Sequence, residues 1–328
     1  MEISKEQMGT EGKQTLSLVA ALGIRINAIA VDNRIGEIAK TMDRLIDTAP
    51  YNLLNLQSCQ KYWTDKTKCD PSQLSAGSSK QVMPHYYHYT KLARIKSQLL
   101  AVLEAIKKSN PAFPKYRISK HFALYTSAPN VQALPLTELV RILTHSDDVI
   151  TYDYHSMFPA IAADLYNIKN LIGLYEKDSL YIYPEIKRSD AKLIFLALMF
   201  GSSITTLIFK HRMPREAVYA VQKTMRRLFP ELLKLTPAQR DRIRCTASFR
   251  FNQHLRDLLK FGLDLIVPRH DQFIYYSCPC KNPNANNPNW PVEMPIYLPH
   301  ITIRGEFKTA PEITEEQTDE VSKSLRLC

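Results

Sequence analysis

The chain has 328 residues, with 43 Lys+Arg against 32 Asp+Glu and a formal net charge of +11. Its 45% hydrophobic and 23% charged residues match ordinary globular usage, which excludes wholesale disorder. Only 9 residues are glycine, none spaced G-x-G, and G-T-E-G-K-Q at 9–14 is too short for a P-loop, so a nucleotide cradled by a glycine-rich loop is excluded.

The N-terminal MEISKEQMGTEGKQ is polar, without the apolar core of a signal peptide. Residues 15–48 read as apolar and helical, interrupted by GIRIN at 23–27 before a second helix over about 30–48. The polar stretch 64–84 reads as a loop. A long helix over 86–108 carries Leu92, Ile95, Leu99, Leu103 and Ile106 at 3–4 spacing, with Lys91, Arg94 and Lys96 on other faces. Asn110-Pro111 and Pro114 break it. The mixed stretch 116–150 runs into the β-branched VITYD, which delivers Asp153 at a strand end. Helix dominates 158–170 and 187–260. The longest apolar run, Leu193–Phe200, falls well short of the roughly 20 residues that span a bilayer, so no membrane partner is expected. A strand pair follows, LIVP at 265–268 and FIYYS at 273–277, joined through Arg269-His270-Asp271. Residues 279–299 read as loop, and the tail after 309 is acidic. The six cysteines show no C-x-x-C; they read as reduced thiols, and Cys278-Pro-Cys280 finds no second half of a zinc site.

Three features carry chemistry. Asp153 and Asp271 each stand at a strand end, where two carboxylates of one sheet could share a pair of Mg²⁺ ions; each could equally be a plain turn aspartate. The helix RSDAKLIFLALMFG at 188–201 puts Arg188 and Lys192 within about 40° of each other on an otherwise apolar cylinder. Two fixed cations there could grip a triphosphate with no glycine loop, and Phe200 two turns on could pack against base or sugar; alternatively both cations snorkel from a core helix. The positive charge suits a polyanionic partner, most often nucleic acid.

These residues resemble family A, DNA polymerase I-like, polymerases. R-x-x-x-K-x(7)-F-G at 188–201 is similar to the family's R-x-x-x-K-x(7)-Y-G fingers helix. GIRIN with YNLLNLQSCQKYW (51–63) and YTKLARIKSQLL (89–100) resemble the thumb segments. TSAPNVQALP (126–135) resembles S-S-x-P-N-L-Q-N-I-P, and VITYDYHSMFPAIA (149–162) stands where D-Y-S-Q-I-E-L-R would be. FGSSITTLIFKHRMPREAVYAVQKTMRRLFPEL (200–232) keeps the family spacing, and PRHDQFIYY (268–276) carries a His-Asp.

The resemblance implies an α+β right-hand polymerase fold: antiparallel palm sheet, helical fingers and helical thumb. The expected divisions are a thumb over 1–115, a first palm part over 116–186, fingers over 187–245, and a second palm part with the tail over 246–328. It implies template-directed addition of deoxynucleotides to a primer by two Mg²⁺ ions, with Mn²⁺ as a substitute, and no proofreading nuclease. Asp153 and Asp271 would hold the metals. Arg188 and Lys192 would hold the triphosphate, with Lys192 also protonating the leaving pyrophosphate. Phe200, Phe158 and Tyr154 would line the nucleotide site. His270, Asn130, Gln132, Gln253, Lys91, Arg94 and Lys96 would face primer-template DNA. Replication accessory proteins would be further partners, and the cytoplasm of a bacterial or virus-infected host cell the setting.

The departures are specific. Phe158 replaces a glutamate, Phe200 a tyrosine, Leu196 a ring, Ala123 an arginine, and Gln272 the glutamate after His-Asp. They leave two alternatives: a single-subunit RNA polymerase or primase-like enzyme of the same fold, or a polymerase-derived nucleic-acid-binding protein with little catalysis.

Overall fold

The computed structural model describes residues 4–22, 26–48, 84–108, 116–143, 149–211, 213–260, 262–269, 272–276 and 294–309. The 51–63 segment, the Cys278/Cys280 pair, residues 64–83 of the stretch read as a loop and the tail beyond 309 lie outside them.

The chain begins in helix α1 (Lys5–Leu22), ten residues earlier than the apolar pattern predicts. Its start is a reciprocal cap: Ser4 N donates to Gln7 Oε1 at 2.9 Å and Gln7 N to Ser4 Oγ at 3.1 Å. Helix α1 ends before GIRIN, and of that segment Ile26 forms a bridge to Leu143 while Asn27 opens the next helix. Its backbone N–H donates to Ile142 O, and its Oδ1 accepts from Ile29 and Ala30 N–H, opening α2 (Ala28–Thr48). Helix α3 (Pro84–Lys108) packs along α2 through Val31, Ile38, Leu92, Ile95, Leu99 and Val102.

A short hairpin of β1 (Tyr116–Ile118) and β2 (Leu124–Thr126) precedes a single 3₁₀ turn at Val131–Ala133 and helix α4 (Leu136–Arg141). Arg34 reaches from α2 to clamp the buried Glu138 of α4 with two 2.7 Å hydrogen bonds, satisfying a carboxylate that would otherwise be costly to bury.

The central sheet has strand order β4-β5-β3-β8, all antiparallel: β3 is Val149–Tyr154, β4 Leu265–Arg269, β5 Gln272–Tyr276 and β8 Gly305–Thr309. Between β3 and β4 the chain is helical: α5 (Met157–Tyr166), α6 (Lys169–Glu176), α7 (Arg188–Met199), a π-helical turn at Thr206–Lys210, α8 (Arg215–Leu228), α9 (Pro230–Leu233) and α10 (Pro237–Lys260). The 279–299 stretch is not all loop, since β6 (Ile296–Tyr297) pairs with β7 (Thr302–Ile303).

Both faces of the sheet are covered, and strand alternation decides what each meets. Tyr152, Tyr154, Phe273 and Tyr275 pack with α5, α7, α8 and α10 in one core. Val149, Ile274 and Tyr276 pack with α2, α3 and α4 in the other. Asp153 shares the second face. Helix α1 joins the first core, through Val19, and packs along α10.

Candidate functional site

Asp153 lies next to the last residue of β3, half-buried, where the strand leaves the sheet's interior. Its Cα partners are Gln272 on β5 and Glu306 on β8, so three side chains form one row across three strands. Asp271 and His270 lie outside the described residues; Gln272, next in sequence to Asp271, is the residue the sheet sets beside Asp153. Glu306 is a carboxylate the sequence gives no reason to single out. It contacts His155 Nε2 at 3.6 Å and Lys308 Nζ at 3.3 Å. The close approach of β8 depends on Gly305: a Cβ there would sit 2.5 Å from the Tyr152 ring and 2.6 Å from Asp153 O. Among the described residues, no group of three or more His, Cys, Asp or Glu could hold a metal.

Past Asp153 the chain makes a left-handed turn at Ser156 and enters α5, placing Phe158 in its first turn. The Phe158 ring meets the Phe200 ring at 5.4 Å and 88°, an edge-to-face pair. Phe200 closes α7, the helix that carries Arg188 and Lys192 one turn apart. Both cations are exposed, while Ala191, Ile194, Phe195, Leu198 and Met199 fill the core. Arg188 donates to Asp178 at 2.6 Å, and this partner holds its guanidinium above the ordinary value. On α3, Lys91 and Arg94 are exposed and Lys96 half-exposed, opposite the buried Leu92, Ile95 and Leu99.

Four further expected site residues have the following surroundings. Tyr154 is 1% exposed on the face opposite Asp153, against Tyr152, Phe251 and Phe273, and burial raises its phenol far above the ordinary range. Alternation, not chemistry, decides this: neighbours on a strand point to opposite faces. Gln132 is also buried. Its Oε1 accepts from Thr126 N at 2.7 Å, and its Nε2 donates to Leu124 O and to Pro268 O, tying the 3₁₀ turn to β2 and β4. These three bonds make the amide a brace between the turn and two strands. Gln253 is half-buried on α10, accepts from Arg250 at 3.3 Å, and lines a cavity of about 570 Å³ between α1 and α10 with Glu6, Glu11 and Phe249. Asn130 is exposed, its Oδ1 accepting from Gln132 N and Thr126 Oγ1.

No helix among the described residues is long and apolar enough to cross a membrane. No protein-family model and no curated protein sequence matches the chain. Among solved structures, it is similar to the polymerase domain of Pol1 from M. smegmatis, in a complex with DNA primer-template and dNTP. The TM-score is 0.56 at 14% identity, covering 82% of this chain and 64% of that one, so this chain spans under two thirds of its neighbour's length. With its antiparallel central sheet and helical surroundings, the chain is a mixed helix-and-sheet fold similar to that DNA polymerase domain.

Proposed function

We propose that the chain is a template-directed DNA polymerase of the family A kind, extending a primer 3′ end with deoxynucleotides. One observation carries this reading: β3 brings Asp153 into register with Gln272, next in sequence to the His270-Asp271 pair, across an antiparallel sheet. Asp153 is thus in register with a residue more than 100 positions on in sequence, the one that directly follows Asp271. The similarity to a polymerase domain solved with primer-template and dNTP supports the same reading.

In this reading the sheet is the palm, α7 and α8 belong to the fingers, and α2 and α3 to the thumb. Asp153 and Asp271 would hold Mg²⁺ ions through carboxylate oxygens, the hard donors such cations take. The bound metals would supply charge stabilisation to the attacking and leaving oxygens. Arg188 and Lys192, exposed one turn apart on α7, bind the triphosphate, and the Lys192 ammonium can give a proton to the departing pyrophosphate. Phe158 and Phe200 exclude bulk beside the sugar. Lys91, Arg94 and Lys96 face DNA phosphates from α3, contacts that weaken with salt and carry no sequence preference. His270 contacts the primer end.

Primer extension on a DNA template with Mg²⁺ and either dNTPs or rNTPs, beside Asp271→Ala, tests the reading. Extension with dNTPs that vanishes in the variant is the expected result. Preference for rNTPs, or starts without a primer, selects an RNA polymerase or primase-like enzyme of the same fold. Duplex binding with no extension under Mg²⁺ or Mn²⁺ leaves a nucleic-acid-binding protein and overturns the enzymatic assignment.

A further inference from the structure

The Phe200–Gly201 corner is held from outside its own helix. Arg244 of α10 lays its guanidinium carbon 4.2 Å over the Phe200 ring centroid, on a ring that also meets the Phe158 ring edge-on. The guanidinium is itself anchored: Nη1 donates to Asp241 Oδ1 at 2.9 Å, and that same oxygen is 3.2 Å from His121 Nε2. One turn earlier on α10, Arg240 packs against Gly201, which has φ +88°; a Cβ there would fall on the Arg240 guanidinium. Two arginines at i and i+4 of one helix therefore close over two consecutive residues at the end of another.

The composition of the corner explains why such a clamp matters. A phenylalanine offers no hydroxyl for a hydrogen bond to fix its orientation, so only packing sets the angle of the ring. An edge contact to Phe158 alone leaves rotation and tilt open. A cation over the face, fixed by its own carboxylate, removes that freedom.

Resting on the polymerase reading, we infer that Arg244 is a positioning residue for sugar selection: stacked on Phe200 and anchored by Asp241, it fixes the ring that, with Phe158, meets the sugar of the incoming nucleotide. Loss of the clamp lets Phe200 tilt and Phe158 follow it, opening room for a 2′-hydroxyl. The discrimination lost is bounded by what one partly exposed cation–ring contact contributes, about tenfold.

The test compares kcat/KM for dNTP and rNTP in wild type, Arg244→Met and Arg244→Lys, with primer-template Kd measured over a range of salt and with thermal melting of each protein. The expected result is a dNTP:rNTP ratio about tenfold lower in Arg244→Met, an intermediate ratio in Arg244→Lys, and unchanged DNA Kd and salt slope. Adding Phe200→Tyr to Arg244→Met restores the ratio, because the phenol hydroxyl supplies the missing fixation. An unchanged ratio in a folded Arg244→Met protein overturns the inference, as does a weaker DNA Kd with a shallower salt slope and the same ratio, which makes Arg244 a phosphate contact. Wild-type protein that extends with neither nucleotide overturns the polymerase reading itself, a result distinct from the other two.

Discussion

Arg188 at the start of α7 donates to the Asp178 carboxylate at 2.6 Å, with both side chains more than half exposed. The guanidinium proposed to grip a triphosphate therefore already has an anionic partner, and an incoming phosphate must compete with it. Exposed pairs of this kind contribute little to stability, which makes the competition inexpensive and measurable.

Asp178→Asn should lower the apparent KM for dNTP by at most about fivefold, the range an exposed ion pair covers, and leave kcat and the melting temperature unchanged. Steady-state kinetics checks this. A rise in KM would mean that Asp178 orients Arg188 toward the nucleotide rather than away from it.

Asp153 sits half-buried at the strand end with Gln272 and Glu306 as its register partners. Asp153→Asn keeps the shape and removes the charge. Single-turnover primer extension should slow by at least about a hundredfold, as when one charge-stabilising group is removed from a transition state. Circular dichroism and melting should be unaffected. Retained extension would remove Asp153 from the machinery.

Gln132 makes three hydrogen bonds from a site only 6% exposed. Gln132→Ala leaves Thr126 N–H and Pro268 O without this partner, and stability should fall by about 1–3 kcal/mol in urea unfolding, with duplex affinity unchanged. Weaker duplex binding at unaltered stability would return Gln132 to the DNA surface.

Burial holds the His254 imidazole below its ordinary value; its ring lies 5.9 Å from Tyr154, and its Nε2 is buried with no hydrogen-bond partner among the described residues. Between the lowered folded value and the ordinary 6.5, the unfolded chain binds more protons, so stability drops as pH falls through that window. Glu11 works in the opposite sense. Burial raises its carboxyl, so between the ordinary 4.5 and the raised value the folded chain binds more protons, and acidification there adds stability. Urea midpoints measured from pH 7 to pH 5 should decline less steeply in His254→Gln than in wild type. Parallel slopes would show that His254 does not contribute.

Much of the chain could be read without its fold. The 3–4 spacing of Leu92, Ile95 and Leu99 specified α3 and its buried face, the Arg188/Lys192 spacing put both cations on the exposed side of α7, and VITYD and FIYY became neighbouring strands. Strand β8 escaped notice because GEFKT is short, largely polar and opens on glycine, so its period-2 signal is weak. The burial of Tyr154 was not legible for a different reason: its position beside Asp153 in sequence says nothing of which side of the sheet it faces until β5 and β8 fix the register.

The sequence by itself determined the long helices and the strands β3, β4 and β5, the separation of polar from apolar helix faces, and which residue types could carry charge to a polyanion, because these depend on spacing and composition within a few turns of chain. Only the tertiary structure decided that Gln132 reaches Pro268 O on β4, that Glu306 stands beside Asp153, and that Arg244 covers Phe200. Each of those contacts joins residues dozens to more than a hundred positions apart, or elements whose relative placement is set by the packing of two separate cores. No local pattern encodes such distances, and the sheet and helices must close before they exist.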